Sequence, residues 1–547
     1  MALRHIVSTP SAYNYQLLIK HLLRTPLTYA PDQEIIYRDR MRYTYTDFGK
    51  RVARLAHGLT DMGVRQGDTV AIMDWDSHRY LECFFGVPMM GAVLHTVNVR
   101  LSAEQLVYTI NHAEDDIILV NEEFLPLLAG VKDQLVSVKK IILISDSGKE
   151  PQTDLPIDVE YEAMLAGRQD TYDFPDFSEN TMATTFYTTG TTGLPKGVYF
   201  SHRQLVLHTY GLLPTLCAMK SQATISSADV YMPMTPMFHV HAWGVPFLMT
   251  LLGAKQVYPG RYEPETLLRL IGTEKVTFSH CVPTIMNMLL ASPSIHQVDL
   301  TGLKIIIGGS AMSAGLCKAA MGLGINVFTG YGMSETCPIL SIASFKPHMK
   351  DWDRDAQIKI RCRTGLPISN VVIEIVDQQG NPLPHDGKTT GEIVTRTPWL
   401  TQGYLKDQEK SEELWENGWL HTGDIGFIDE EGYLQVTDRL KDVIKTGGEW
   451  ISSLALEDII SRHPAVSEAA VIGVPDEKWG ERPLALVVLK PNMEKITAED
   501  LRKVFIEYAE KGGIPRYGVP DRVVITDSIS KTSVGKLNKK EMRKQYR

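Results

Sequence analysis

Residues 187–197 read YTTGTTGLPKG, four threonines and three glycines in eleven positions, closed by one lysine. Glycines let backbone N–H groups approach an anion, hydroxyls add neutral donors, and Lys196 adds a mobile positive charge. The chemistry this composition suits is the holding of phosphate. The spacing departs from the Walker A loop, which needs GxxxxGK followed by Ser or Thr, because Lys196 follows Pro195 and precedes Gly197. A plain hairpin turn is the competing reading, yet a turn needs neither four hydroxyls nor a fixed lysine.

The flanks say what must position this loop. Residues 182–187 and 198–200 read as short strands, so the loop joins strand to strand, and a helix starts only afterwards, where Ser201 and Gln204 have capping-box spacing. Upstream, residues 45–63 have helical apolar spacing, 69–73 read as a strand, 79–91 as a helix, and 91–97, 117–120 and 140–145 as strands. That is the βαβ rhythm of a sheet covered by helices, and it resumes with strands at 279–281, 304–307 and 326–329. From 371 to 395 the texture changes to antiparallel hairpins. The last hundred or so residues carry a helix near 456–462, strands at 469–474 and 484–489, and a helix at 498–509. The expected fold class is α/β: a large multi-layer N-terminal domain of helix-covered sheets over 1–438, with a small β-rich subdomain at about 365–438, and a small mobile C-terminal α/β domain over 446–547. The charged joint, 439–445, suits a hinge with a few discrete orientations.

Bulk composition narrows the function. A chain of 547 residues is too long for one core. Its 44% hydrophobic and 22% charged residues are ordinary for a globular protein, and a net charge of −9 argues against a nucleic-acid surface. Six dispersed cysteines, with no CxxC pair, suit buried free thiols in a reducing compartment. No charged-then-apolar leader precedes the first elements, and the apolar run 245–254 is far short of the roughly 20 residues that cross a bilayer, so a cytoplasmic location is expected. Residues 17–23 suit an amphipathic helix packed on the protein's own core, with peripheral membrane contact as the alternative; the basic tail 536–547 reads as a solvated helix end. There is no GxGxxG after a strand, no GxSxG elbow and no zinc-spaced Cys/His set.

Further stretches line up with the threonine-rich loop: PMFHVHAWG at 236–244, GGSA at 308–311, TGYGMSE at 329–335, GWLHTGD at 418–424, DRLKDVIKTGGEW at 438–450 and KTSVGK at 531–536. Together and in this order they resemble the adenylate-forming superfamily of acyl-CoA synthetases, carrier-loading adenylation domains and luciferases, over nearly the whole chain. The variants FHVHAW and GGEWISS look most like bacterial medium- and long-chain fatty acyl-CoA synthetases. The resemblance implies an ATP-dependent ligase in which a fatty carboxylate attacks the α-phosphorus of Mg-ATP and coenzyme A then takes the acyl group. It implies that Thr188, Thr189, Gly190, Thr191, Thr192, Gly193 and Lys196 hold the phosphates, that Glu335 and Thr188 ligate Mg²⁺, and that Ser334 makes a phosphate contact. Gly308, Gly309, Ser310, Thr329, Gly330, Tyr331 and Gly332 would form the adenine slot, with Tyr331 able to stack on the base. Asp424 would take the ribose hydroxyls, assisted by Arg439.

His239, Val240 and Trp243 would form the acid-binding wall, Trp243 gating an acyl tunnel; the same residues also suit a buried helix with a core histidine. Lys536 would be the adenylation lysine, although Ser530 replaces the usual proline before its motif. Lys441 corresponds to the hinge, and Lys445, Gly447, Gly448 and Trp450 to the face that serves thioester formation. A homodimer through the N-terminal domain is implied as well. A ligase for a short thioether-substituted, branched or aromatic acid remains open, as do a carrier-loading adenylation enzyme and a nucleotide sensor without turnover.

Overall fold

The computed structural model describes residues 3–149, 151–188, 194–446, 449–491, 493, 495–532 and 537–546. Among the described residues the strands form four sheets of seven, nine, five and five strands. The seven-stranded sheet runs, edge to edge, Ile157–Glu160, Lys140–Ile144, Asp115–Asn121, Thr69–Met73, Val93–Thr96, Met182–Thr188 and Lys196–Ser201. All its pairs are parallel except the last, which flanks the threonine-rich loop. Burial on both faces explains its unbroken apolar strands, such as Thr69–Met73, which is buried throughout.

The nine-stranded sheet has six parallel central strands in the order Asn326–Gly332, Lys304–Ile307, Phe278–Cys281, Val230–Met234, Lys255–Tyr258, Glu34–Tyr37, with antiparallel strands at both edges. Residues 34–44 therefore cross from the N-terminal region into the sheet built by 230–342, an exchange that local periodicity cannot reveal. Val372–Val376, Gly391–Arg396, Trp415–Glu416, Trp419–Ile428 and Leu434–Arg439 make the antiparallel sheet, so the hairpin texture is as expected. Leu366–Pro367, assigned from sequence to that subdomain, pairs instead with Ile339–Ile342 of the nine-stranded sheet. The C-terminal sheet carries an apolar cluster on each face, one around Leu456 and Phe505 and one around Ile472 and Met542.

Two local expectations shift. The N-terminal helix spans Lys20–Tyr29 rather than 17–23, with Leu22 and Leu23 buried against the core as its amphipathic pattern requires. The basic tail is not merely solvated: in the helix Lys539–Tyr546, Lys539 is buried, its ammonium 2.7 Å from Glu457 and 2.5 Å from the hydroxyl of Ser453. Arg543 pairs with Asp442 at 2.7 Å. The antiparallel sheet ends at Arg439 and the C-terminal sheet begins at Ile444, so a turn of residues 440–443 joins them. None of the described helices is long and apolar enough to cross a membrane.

Candidate active site

A capping box fixes the helix on the far side of the threonine-rich loop. Ser201 Oγ accepts the Gln204 N–H at 3.3 Å and Gln204 Oε1 accepts the Ser201 N–H at 2.7 Å, which starts the helix His202–Leu213 at the end of the strand Lys196–Ser201. On the near side the strand Met182–Thr188 is held by Tyr187, whose hydroxyl lies 2.8 Å from His112 Nδ1 and whose ring lies 5.2 Å from that of His95. Thr188 and Lys196 face each other across the antiparallel pair, so the loop leaves and returns at one place. Thr189, Gly190, Thr191, Thr192 and Gly193 lie outside the described residues.

A cleft opens at the carboxyl ends of three parallel strands, the position where open α/β sheets take ligands. Val230–Met234 leads into its His239, Val240 and Trp243; Lys304–Ile307 leads into Gly308 and Gly309; Asn326–Gly332 ends in Gly330, Tyr331 and Gly332, with Ser334 beyond. All nine were expected at the site. The sequence reading missed Ile306, Met333, Pro338 and Ile339, which complete the lining; their apolar types carry no signal that separates a wall from a core. The glycines are required first by the protein itself. A Cβ on Gly308 would stand 2.8 Å from Trp243 Cη2 and 2.9 Å from the Gly330 carbonyl, and one on Gly332 would stand 1.7 Å from the Pro338 carbonyl. Ser310 is exposed beyond Gly309 rather than part of the lining, and Thr329 is buried with its hydroxyl donated to the Arg361 carbonyl at 2.9 Å. Neither residue lines the cleft as the sequence reading expected.

The apolar run after Pro236 does not begin as an ordinary buried helix. Val240, His241, Ala242, Trp243 and Gly244 all have positive φ, between 47° and 71°, a left-handed turn that gives way to the buried helix Val245–Leu251. Such a conformation costs roughly 1–2 kcal/mol per non-glycine residue. Burial of Val240, Ala242 and Trp243 works against that cost, while His241 stands in an aromatic box of Phe84, Phe186 and Phe247. Held backbone strain of this kind clusters at functional sites.

Two polar groupings flank the cleft. Tyr331 donates its hydroxyl to Asp424 Oδ2 at 2.7 Å, and Arg439 Nε lies 3.4 Å from Asp424 Oδ1, across the strand pair that sets Asp424 opposite Arg439. Burial and the Asp424 carboxylate hold the Tyr331 phenol well above its ordinary pKa, so it stays protonated and donating. The second grouping joins the threonine-rich loop to Glu335. Tyr404 donates its hydroxyl to Glu335 Oε1 at 2.8 Å, and the Lys196 ammonium sits 4.3 Å from the centre of the Tyr404 ring, a cation–π contact. The Tyr404 segment is tied to both partners: the Leu405 N–H donates to the Gly197 carbonyl at 2.8 Å and the Thr401 N–H to the Glu335 carbonyl at 3.0 Å. Tyr404 was not singled out from sequence, since a lone aromatic more than 200 residues from the loop has no local pattern.

On the C-terminal side, Lys441 and Lys445 are exposed and neither lines the cleft. Lys445 pairs with Trp450 in the hairpin of Ile444–Thr446 with Glu449–Ile451, and its N–H donates to Glu481 Oε2 at 3.0 Å. Gly447, Gly448 and Lys536 lie outside the described residues.

Comparison with known proteins gives a consistent result. The family model described as AMP-binding enzyme matches residues 24–405, and that of the AMP-binding enzyme C-terminal domain matches residues 455–536. The chain is 41% identical over 510 residues to a long-chain-fatty-acid–CoA ligase of Thermus thermophilus, covering 92% of this chain and 90% of that protein. It is 37% identical over 540 residues to a 3-methylmercaptopropionyl-CoA ligase of Ruegeria lacuscaerulensis, covering 97% of each. It is 34% identical over 538 residues to a medium-chain-fatty-acid–CoA ligase of Ectopseudomonas oleovorans, covering 97% of this chain and 96% of that one. The fold is similar to that of an anthranilate CoA ligase in complex with anthranoyl-AMP, with TM-score 0.83 and 24% identity over 96% of this chain and 97% of the other. It is also similar to that of ATP-bound MatB from Rhodopseudomonas palustris, with TM-score 0.82 and 24% identity over 97% and 99%.

Proposed function

The chain belongs to the AMP-binding enzyme family, and from that premise we propose that it is an ATP-dependent, AMP-forming acyl-CoA ligase for a medium- or long-chain fatty acid. A carboxylate is a poor acyl donor at neutral pH. Attack of its oxygen on the α-phosphorus of ATP expels pyrophosphate and leaves an acyl-adenylate; the thiol of coenzyme A then attacks the acyl carbonyl, and AMP departs. The single observation that carries this reading is the Lys196–Tyr404–Glu335 unit, which sets a cation, a phenol and a buried carboxylate at the strand ends, Thr188 and Lys196, that flank the threonine-rich stretch.

In this reading Lys196, the loop amides and the threonine hydroxyls bind the β- and γ-phosphates, and Tyr331 lies against the adenine while its hydroxyl orients Asp424 towards the ribose. His239 and Trp243 face the acid, and the apolar wall favours chains over charged substrates, at roughly 0.8 kcal/mol per buried methylene. Glu335 fits magnesium. Among the described residues its buried carboxylate has a phenol as hydrogen-bond partner rather than a cation in salt-bridge range, and a hard dication takes one or two carboxylates and completes its shell with phosphate and water. Bound there, magnesium would neutralise charge on the leaving pyrophosphate. Lys536 supplies positive charge between carboxylate and α-phosphate in adenylation, and rotation of a mobile C-terminal domain about 439–445 brings Lys445, Gly447, Gly448 and Trp450 to the thioester step. The assembly proposed is a cytoplasmic homodimer, to be measured by sedimentation.

A short thioether-substituted acid is the second reading, favoured by the 3-methylmercaptopropionyl-CoA ligase relative. Acid-dependent ATP–pyrophosphate exchange with acids from acetate to palmitate, and with a methylthio-acid, separates the two; the same panel with coenzyme A and thioester detection reads out the second step. Failure of every acid to support exchange overturns the ligase reading, and exchange without thioester points to carrier loading.

A further inference from the structure

Trp243 is the largest side chain of the cleft wall, and three separate features fix its indole. Its backbone, at φ 61°, is left-handed and sets the direction in which the side chain leaves the turn. Gly308 leaves room for the ring edge, since any Cβ there would stand 2.8 Å from Cη2. The imidazole of His280 packs against the indole, centroids 5.0 Å apart and planes 31° apart.

His280 is itself fixed. It lies on the strand Phe278–Cys281 and is fully buried. The Tyr231 hydroxyl is 2.7 Å from Nε2, and Thr235 Oγ1 is 3.0 Å from Nδ1. The Thr235 hydroxyl donates to the His280 carbonyl at 3.4 Å, so its oxygen is left to accept from Nδ1–H, and Nε2 accepts from the Tyr231 hydroxyl. That assignment uses every hydrogen. It makes the ring a neutral Nδ1–H tautomer tethered at both nitrogens, which cannot turn without leaving buried polar groups unpaired. Burial pushes the pKa of His280 down to about 3, in agreement with a neutral ring.

We propose that His280, a residue outside the cleft lining, is a positioning residue that determines acid selectivity: by bracing the Trp243 indole it sets where the cleft wall stands and which acyl chains fit. The inference rests on the reading that the cleft beside Trp243 receives the acid. A merely structural histidine would change stability and scale the reaction of every acid alike. A brace changes the ratio between acids, because each methylene that gains or loses cover alters binding by a factor of about four.

The test compares the unaltered enzyme with His280→Ala, His280→Phe and Tyr231→Phe. The readouts are kcat/KM for butyrate, octanoate and laurate, KM for ATP, and thermal unfolding. With the brace removed, His280→Ala is expected to move the laurate-to-butyrate ratio by about tenfold or more towards the longer acid, while KM for ATP stays within about twofold. His280→Phe keeps a ring but loses both tethers, and Tyr231→Phe loses one, so both are expected to move the ratio in the same direction by less. If His280→Ala fails to fold, Tyr231→Phe decides the matter. A folded variant in which all three acids fall by one common factor, or in which the ratio stays put, overturns the inference. Failure of the unaltered enzyme to show exchange with any acid overturns the ligase reading beneath it, a distinct failure.

Discussion

At the scale of single residues, the site depends on carboxylates whose partners are phenols. Glu335 and Asp424 each accept a tyrosine hydroxyl, from Tyr404 and Tyr331, and both tyrosines have pKa values raised first by burial and then by the neighbouring carboxylate. A phenol orients a carboxylate without neutralising it, which leaves the Glu335 charge available to a cation, whereas Asp424 also has Arg439 Nε at 3.4 Å from its second oxygen. Tyr404→Phe removes the donor from a buried acceptor, a change that costs about 1–3 kcal/mol and frees the Glu335 carboxylate to turn. The expected outcome is a several-fold higher Mg²⁺ concentration for half-maximal pyrophosphate exchange, with KM for the acid unchanged. Asp424→Asn keeps the size but replaces one acceptor oxygen with a donor amide opposite Tyr331 and, in the proposed reading, opposite the ribose. KM for ATP is expected to rise by about tenfold or more, since charge-assisted hydrogen bonds are roughly twice as strong as neutral ones; equilibrium nucleotide binding measures it.

At the scale of elements, the decisive piece is the segment from Met237 into the left-handed turn. It is held from outside its own sheet by Asp76, fully buried, which accepts the Met237 N–H at 2.9 Å and the Tyr262 hydroxyl, and by Thr96, which donates to the Phe238 carbonyl at 3.1 Å. Desolvation pushes Asp76 up to about 7 from its ordinary 3.8. The folded chain therefore holds a proton on Asp76 in a window where the unfolded chain has released it, so this group's contribution to stability is greatest at low pH and falls as pH rises from about 4 to about 7. Asp74, pushed up to about 6 by the same burial, acts with the same sign. Asp76→Asn removes the larger share, and a plot of melting temperature against pH is expected to decline less steeply over that window. A slope identical to that of the parent would show that Asp76 does not titrate there.

At the scale of the whole molecule, specific groups among the described residues tie the antiparallel sheet and the joining turn to the C-terminal elements. Asp438, buried at the end of the antiparallel sheet, accepts the Ser453 N–H at 2.6 Å at the start of the helix Ser453–Ser461, and Arg543 of the last helix reaches Asp442 in the joining turn. A joint of this kind can hold one orientation and release it, which is the motion proposed for the two half-reactions. Lys536→Ala is expected to abolish acyl-adenylate formation yet still convert supplied acyl-adenylate and coenzyme A to thioester, whereas Gly448→Trp is expected to do the reverse. Equal loss of both half-reactions in each variant would rule out rotation about 439–445.

The sequence by itself determined the short-range features. The strand Thr69–Met73, the capping box at Ser201 and Gln204 and the antiparallel texture after residue 371 were legible because propensity, capping and binary pattern act over a few residues. His239, Trp243, Gly308, Tyr331 and Asp424, by contrast, stood out only through the resemblance of their motifs to a known family; the structure gathers the first four at one cleft and hydrogen-bonds Asp424 to Tyr331. Only the tertiary structure decided what depends on distant chain segments meeting. It placed Glu34–Tyr37 in the sheet of 230–342, turned residues 240–244 left-handed, set Tyr404 between Lys196 and Glu335, and braced Trp243 with His280. The physical reason is that local patterns specify which face of an element is apolar but not which partner covers it, and a strained turn or a buried hydrogen bond exists only once the surrounding core has closed around it.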